Sequence, residues 1–319
     1  MSKSAWTAVL LLGCGAPAPA QDSLLPTHIS ETGEVTITGV LRYAMGQGTL
    51  SNPGFEADFD QTLLVGDFRL GVGVGGGFEI EGSFPYGIQG TGEAEEGAVD
   101  FEVETVGLGD LTLEGNYLLV PSSKVSPQVM AGLVFVLPVG DEDFAVPEIR
   151  FSGVTVQDGE EGGLGEGVFK MGLQFGVSQK VTGAEIYGQA RFLVSTGKQD
   201  EGDLEIDRPD VFSLVGGVVL PIGATTNLDA RLTLVYEGDE VAEDNVGAES
   251  TEEAHVNVGV EARFYFNVGG AATLILGAGI SWVQDHAVDE EANLDLEQVF
   301  MYGFGIGLHI RLGVPGVGK

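Results

Sequence analysis

The sequence predicts an all-β fold, an antiparallel transmembrane β-barrel of about twelve strands with short periplasmic turns and long acidic extracellular loops. Three observations support this prediction. Apolar and polar residues alternate along many segments, the connections between these segments alternate between short and long, and charged residues are segregated from apolar ones. Together these patterns are typical of outer-membrane proteins, which cross the bilayer with strands that close into a barrel.

Residues 1–20 have the parts of a secretory signal peptide. Lys3 gives a positive start, a short apolar run follows, and residues 18–20 form an A-x-A cleavage site. Cleavage there would leave a periplasmic N-terminal segment at 21–33 and remove the single cysteine, Cys14. A second interpretation stays open, because the Leu-Leu-Gly-Cys sequence that ends at Cys14 resembles a lipobox, which would make this cysteine a lipidated first residue.

Period-two alternation predicts the strands of a barrel that covers residues 34–313, followed by a tail at 314–319. Between 228 and 236, for example, even positions are apolar and most odd positions are polar. Most segments are longer than the usual soluble strand of about 5 to 6 residues, and they suit tilted transmembrane strands of about 9 to 11. We predict strands at 34–45, 62–74, 78–88, 111–120, 128–138, 167–178, 185–195, 211–221, 227–236, 255–267, 271–283 and 298–313. The number could also be ten, or fourteen if 99–106 or 148–156 also pair.

The connections alternate in length. Short turns are predicted at 75–77, 121–127, 179–184, 222–226 and 268–270. Long loops are predicted between them, at 46–61, 89–110, 139–166, 196–210, 237–254 and 284–297. Short turns on one rim and long loops on the other are the pattern of outer-membrane barrels.

Charged residues on the strands share the polar face. A charge that faces lipid at mid-bilayer would cost about 2 to 4 kcal/mol, so we expect these residues to line the lumen. The predicted lumen-lining residues are Arg42, Asp67, Arg69, Glu79, Glu81, Glu114, Lys170, Glu185, Arg191, Asp229, Arg231, Glu261, Arg263, His309 and Arg311. A soluble β-sandwich or lipocalin-like barrel is the alternative, because alternation alone does not show which face meets water. About twelve strands, however, enclose more space than side chains can fill.

The charge balance restricts the partners. The 319 residues carry a net charge of −34, which argues against nucleic-acid binding because no basic surplus exists to neutralise phosphates. Most acidic side chains fall in the six long loops, so we expect an outer mouth that attracts cations. The expected partners are outer-membrane lipid and lipopolysaccharide, a small-molecule solute, and divalent cations at the loops. Simple solvation of an exposed rim is the alternative explanation of the loop carboxylates.

A group of motifs lies between 107 and 141. A Gly-Leu-Gly-Asp segment precedes a strand with a Tyr-Leu-Leu sequence, and the following strand ends in Leu-Pro-Val-Gly-Asp. The motif residues are Gly107, Gly109, Asp110, Tyr117, Pro138, Gly140 and Asp141. This order resembles an outer-membrane family of transporters of the meta-pathway of phenol degradation, although Val139 replaces the family's threonine and Asn116 its usual basic residue. The resemblance implies a barrel that passes small hydrophobic or aromatic compounds. Alternatively, the glycines and Pro138 set strand ends and loop geometry.

Two histidines offer a different function. His255 and His286 lie at the long-loop ends of adjacent predicted strands, with Glu252, Glu253 and Asp285 nearby. Such a group can act as a general base with its orienting carboxylate, or bind a transition metal. A pair of solvated loop histidines is the simpler interpretation.

We therefore expect a channel or transporter for small molecules in the bacterial outer membrane, with no enzymatic activity and no cofactor. Paired arginines and carboxylates in the lumen would set the width and polarity of the pore. Two alternatives remain: a structural or adhesive surface barrel whose lumen is closed by the same charges, and a hydrolase at the loop tops.

Overall fold

A computed structural model describes residues 29–52, 55–96, 99–123, 126–140, 148–151, 154–157, 162–201, 204–244, 249–269, 271–289 and 294–313. No helix long and apolar enough to cross a membrane occurs among them. The strands are β1 (Glu34–Asn52), β2 (Phe55–Gly75), β3 (Phe78–Glu96), β4 (Val99–Gly109), β5 (Leu111–Val120), β6 (Gln128–Leu137), β7 (Glu148–Phe151), β8 (Val154–Gln157), β9 (Gly162–Leu164), β10 (Phe169–Val181), β11 (Ala184–Thr196), β12 (Gln199–Glu201), β13 (Leu204–Asp207), β14 (Val211–Pro221), β15 (Thr226–Glu237), β16 (Glu240–Asp244), β17 (Glu249–Glu252), β18 (His255–Gly269), β19 (Ala272–Val283), β20 (His286–Asp289) and β21 (Leu294–Gly313).

Neighbouring strands pair around a closed barrel. The pairing runs from β1 through β2, β3, β5, β6, β10, β11, β14, β15, β18 and β19 to β21. Strand β21 then pairs with β1, from Glu34 opposite Gly313 to Ser51 opposite Asp295. All these pairs are antiparallel, and the contact between β4 and β9 is the one parallel pairing among the described strands. The predicted all-β antiparallel barrel is confirmed, and its closure leaves no free edge along this path.

The closed path itself passes through twelve strands, but the predicted number of about twelve is too low for the whole barrel sheet, because segments assigned to long loops, such as β4 and β7, also form strands of that sheet. β1 and β2 continue as one long hairpin through the expected loop at 46–61. β3 and β4 do the same through 89–110, and β7 pairs with β4. The prediction of loops rests on the acidic residues of these segments. Beyond the bilayer, however, both faces of a strand pair can meet water, so an antiparallel hairpin there can carry charged side chains on either face.

The two faces of the barrel wall have opposite polarity. On β21, Phe300, Phe304 and Ile306 are exposed on the outside, whereas Met301 and His309 at alternate positions are buried. The other barrel strands also expose large apolar side chains on the outside, many of them aromatic. A soluble barrel would bury its apolar face and expose its charges. The observed distribution excludes that alternative and is the one required by lipid.

The two ends of the barrel differ. The turn between β2 and β3 uses Gly75, Gly76 and Gly77, which all have positive φ values (119°, 64° and 82°) that favour glycine. At the opposite end, β12, β13, β16 and β17 form a separate four-stranded sheet, here called the outer sheet. A backbone hydrogen bond of 2.8 Å from Glu253 N to Ala287 O joins the end of the outer sheet to β20.

Residues 29–33 contact the inner wall near the short turns. The Gly33 amide donates a 2.8 Å hydrogen bond to the Gly73 carbonyl. The buried Ser30 hydroxyl donates a 2.7 Å hydrogen bond to Glu79 Oε1, and the Ser30 amide donates to Glu79 Oε2 at 3.3 Å. The predicted signal peptide and the tail at 314–319 lie outside the described residues.

Candidate functional site

A first polar network covers the inner wall from β2 to β11. Arg69 Nη1 lies 2.9 Å from Glu81 Oε1, and Glu81 is opposite Glu114 on the neighbouring strand. Glu114 forms an ion pair with Arg191 and accepts a 2.7 Å hydrogen bond from Gln174 Nε2. Arg191 also donates to Gln174 Oε1 at 3.0 Å. Two guanidinium groups thus balance two carboxylates in the barrel interior.

A second polar network surrounds Asp229 on β15, which is fully buried. Its carboxylate accepts hydrogen bonds from Tyr187 Oη at 2.8 Å and Tyr265 Oη at 3.1 Å, and forms an ion pair with Arg231. Arg231 Nη2 also donates to Tyr265 Oη at 3.0 Å. Burial of a carboxylate that accepts several hydrogen bonds and faces an opposite charge costs far less free energy than burial of an isolated carboxylate.

Glycines allow both networks to extend across strands. A Cβ atom at Gly217 on β14 would lie 2.5 Å from Tyr187 Oη, so only a residue without a side chain lets Tyr187 reach Asp229 two strands away. Gly132 on β6 has the same role, because a Cβ there would lie 3.0 Å from Gln174 Cγ. The long polar side chains can therefore lie flat along the wall, pass over these glycines and reach partners on more distant strands.

The inner face of β19 and β21 is different, because glycines occupy most of its central positions. They alternate with exposed outer residues such as Ala278 and Phe304. These glycines, here called the glycine sector, are Gly277, Gly279, Gly303, Gly305 and Gly307. A buried apolar cluster lies beside this sector and consists of Val40 on β1, Tyr265 on β18 and Ile275 on β19. The glycine sector thus adds no side chains of its own to the interior, and the charged Arg42, Glu261 and Arg263 of the adjacent strands lie against it.

Further predicted lumen residues form pairs within the same interior. Arg42 Nη2 lies 3.0 Å from Asp67 Oδ2, and Arg263 Nε lies 2.6 Å from Glu261 Oε1. Glu185 is half-buried. These contacts place the residues in the barrel wall, and their effect on passage remains a prediction.

The other predicted residues have partners near the barrel ends. Lys170 forms an ion pair with Glu166, which lies outside the strands. His309 Nδ1 shares a 2.7 Å hydrogen bond with Thr38 Oγ1, and Arg311 Nε lies 3.3 Å from His309 Nε2. The Arg311 side chain also lies 3.7 Å from a Glu34 carboxylate oxygen.

The sequence analysis missed the neutral members of both networks. Tyr187 and Gln189 share one face of β11 with Arg191, and Gln189 Nε2 donates to Gln174 Oε1 at 3.0 Å. Their positions on β11 alternate in step with Arg191, but the prediction of lumen residues rests on side chains that carry a charge, which Tyr187 and Gln189 do not. Tyr265, on the same face of β18 as Arg263, was missed for the same reason.

Asp110 brings the two motif segments together. It lies in the one-residue break between β4 and β5, where its Oδ1 accepts from Gly140 N at 3.1 Å and its Oδ2 from Glu166 N at 2.9 Å. A Cβ at Gly140 would lie 2.6 Å from the Leu108 carbonyl oxygen, so this close approach requires glycine. The contacts are those of a connection between a strand and a loop.

Of the remaining motif residues, Gly109 also borders this contact, since a Cβ at Gly140 would lie 2.7 Å from the Gly109 carbonyl carbon. Gly107 has a positive φ of 133°, and a Cβ at Gly109 would lie 2.5 Å from Pro85 Cγ. Tyr117 is exposed on the outer face of the barrel, and Pro138 follows the end of β6. Asp141 lies outside the described residues.

Glu252, His255 and His286 form a buried group at the outer end of the barrel, here called the rim cluster. The two imidazole rings stack with their centroids 4.1 Å apart and an interplanar angle of 15°. Glu252 Oε1 lies 3.4 Å from His286 Nε2 and 3.6 Å from His255 Nδ1. His286 Nδ1 donates a 2.7 Å hydrogen bond to the Gln284 carbonyl. The predicted neighbour Glu253 instead accepts from the Ala287 amide at 3.4 Å.

Burial and the contacts between its members together set the protonation of the rim cluster. Burial lowers the pKa of His255 to about 4, with repulsion from His286 acting in the same direction, and raises the pKa of Glu252 to about 7. Burial alone would lower the pKa of His286, but its contact with Glu252 outweighs burial and holds this pKa above its ordinary value. Neutral His255 therefore keeps a lone pair, which can bind a metal ion or accept a proton.

The comparisons with known proteins identify the fold. No protein-family model and no curated protein matches the chain. It is similar to the crystal structure of an outer-membrane channel from Pseudomonas putida F1, with 14% identity and a TM-score of 0.60 over 92% of this chain and 100% of that chain. It is also similar to the translocator domain of the autotransporter NalP from Neisseria meningitidis, with 13% identity and a TM-score of 0.51 over 97% and 98% of the two chains. The predicted outer-membrane β-barrel is confirmed at the level of the fold.

Proposed function

We propose that the protein is an outer-membrane channel that passes small solutes along the glycine sector. The observation that carries the proposal is the asymmetry of the barrel interior. The two polar networks hold long charged side chains against most of the wall, whereas the glycines of β19 and β21 project no side chains into the interior. A path beside the glycine sector meets backbone and the apolar Val40 and Ile275. The charges that border it are paired, Arg42 with Asp67 and Arg263 with Glu261, so the path suits neutral apolar or aromatic solutes better than ions.

The outer rim would select solutes by charge before they enter. Most of the acidic residues lie in the outer segments, and they attract cations and repel anions. The same carboxylates can share divalent cations with lipopolysaccharide phosphates. We propose no catalytic step: passage requires a path and a charge filter only.

A closed barrel with a structural role is the second candidate. Gln174 and Asp229 are 0% exposed, which means that water does not reach their side chains even from the interior. A lumen filled by the two networks would have this property. The wide water-filled lumen of a general porin would not.

Ion conductance in planar bilayers separates the two candidates. We expect the unmodified protein to form channels of low conductance, and we expect Gly305→Leu to reduce that conductance. A Cβ at Gly305 would meet its nearest neighbours at 3.4 to 3.7 Å, which are ordinary contacts, and Gly305 lies on the inner face of β21, so we expect the leucine side chain to extend into the interior. The matched control is Ala278→Leu, since Ala278 is exposed on the outer face of β19.

Each outcome has a separate meaning. Correctly inserted protein that shows no conductance at any voltage would support the closed barrel. Channels that Gly305→Leu and Ala278→Leu leave equally unchanged would refute the glycine sector as the path. A reduction by both variants would indicate a general disturbance of the wall.

A further inference from the structure

The rim cluster combines residues from two separate sheets. Glu252 ends β17 in the outer sheet, whereas His255 begins β18 and His286 begins β20 in the barrel sheet. The side chains of all three residues are more than nine-tenths buried. Burial of a carboxylate with two imidazoles costs free energy unless a positive charge compensates it.

The hydrogen bonds of His286 leave a lone pair directed at a carboxylate. Because Nδ1 donates to the Gln284 carbonyl, the uncharged ring carries its proton there and Nε2 is an acceptor. Nε2 is buried, has no aligned hydrogen-bond partner among the described residues, and faces Glu252 Oε1 at 3.4 Å. Two facing acceptors need a proton or a metal ion between them. Donation from the second ring nitrogen to a backbone carbonyl is also the usual orientation of a metal-binding histidine.

The distances fit a tetrahedral metal ion. Ligand atoms about 2.0 to 2.2 Å from a tetrahedral Zn²⁺ lie about 3.4 Å from one another. Glu252 Oε1 lies 3.4 Å from His286 Nε2 and 3.6 Å from His255 Nδ1, and the ligand atoms of all three residues lie within 4.8 Å of one another. His255 Nδ1 also lies 3.4 Å from the Glu253 carbonyl oxygen, and its ring is stacked on that of His286, so metal binding through Nδ1 requires the His255 ring to turn away from that carbonyl towards the ion. The other His255 nitrogen, Nε2, lies 4.0 Å from Glu237 Oε2.

We propose that Glu252, His255 and His286 bind a divalent transition-metal ion, with Zn²⁺ as the best fit to two imidazoles and one carboxylate. Three protein ligands leave a fourth position for water. The ion would fasten the outer sheet to the barrel, because its ligands come from both sheets. Calcium and magnesium are disfavoured, since they prefer sites made of oxygen ligands.

Zinc binding to the full-length protein in detergent tests the proposal. After treatment with a chelator, isothermal titration with ZnCl₂ in the presence of excess Ca²⁺ should show one tight site per chain. We expect Glu252→Gln and His286→Gln to weaken that site at least about tenfold. The matched control is Glu253→Gln, which changes the adjacent carboxylate outside the cluster, and His309→Gln serves as a second control in the barrel interior.

Two further measurements keep the result decisive if a variant fails to fold. Co²⁺ added to the unmodified protein should give the visible absorption of a tetrahedral site, and Zn²⁺ should protect the outer sheet from limited proteolysis. Absence of a tight site in the unmodified protein would overturn the proposal, as would equal weakening by Glu252→Gln and Glu253→Gln or displacement by Ca²⁺. These readouts do not depend on conductance, so the metal site and the channel can fail separately.

Discussion

Removal of the Asp229 carboxylate should destabilise the barrel more than any other single change in the second network. In Asp229→Ala, the Arg231 side chain stays charged and is only 1% exposed, and Tyr187 and Tyr265 lose an acceptor. Breaking a buried ion pair by removing one partner costs about 3 to 5 kcal/mol. We therefore expect the free energy of unfolding to fall by about that amount. Tyr187→Phe removes one hydrogen bond to a charged group and should cost about 1.5 to 3 kcal/mol.

Urea unfolding in phospholipid vesicles measures these changes. Trp282 on the outer face reports the transfer of the barrel wall from lipid to water. The double variant Asp229→Ala/Arg231→Met should recover most of the loss, because replacement of a buried pair by apolar residues is often nearly neutral. Lys198→Met is the control, since its ion pair with Glu205 is exposed and should not affect unfolding. A loss below about 1 kcal/mol, or no recovery in the double variant, would refute a buried ion pair at this position.

Three further changes test other parts of the fold. Asp110→Ala removes the acceptor for the Gly140 and Glu166 amides and should speed proteolysis after β6, whereas unchanged cleavage would contradict the proposed connection. Gly217→Ala should lower the urea midpoint, because the added Cβ collides with a tyrosine hydroxyl at 2.5 Å; an unchanged midpoint would show that the ring can move. Gln298→Gly should raise stability by about 1 kcal/mol, because Gln298 has a φ of 55°, and a lower midpoint would refute this strain.

The positions of the strands were largely predictable from alternation. β5 (Leu111–Val120) and β14 (Val211–Pro221) begin and end at the predicted residues. Lipid explains this success, since every outward position within the bilayer must be apolar whichever strand it belongs to. The outer ends of β1 and β3 were not predictable, because continuation beyond the bilayer depends on the register with a neighbouring strand and not on hydrophobicity.

The composition of the candidate sites was only partly predictable. The alternation of polar and apolar positions placed Arg191 and Glu114 on the inner face, but it did not predict that these two side chains form an ion pair. The two residues are 77 positions apart, and they meet because β5, β6, β10 and β11 are neighbours in the closed barrel. The histidines of the rim cluster were identified by their place in the sequence, whereas the choice of Glu252 over Glu253 as their partner required the geometry of β17.

The sequence by itself determined which residues face lipid, which face inward, and that most acidic side chains belong to the predicted long loops. These properties follow from a period of two and from the cost of a charge in hydrocarbon, so they need no knowledge of neighbours. The tertiary structure decided which inward residues touch, as with Tyr187 crossing Gly217 to Asp229. Such contacts depend on closure, register and the absence of a side chain in between, and none of these is a property of a single strand.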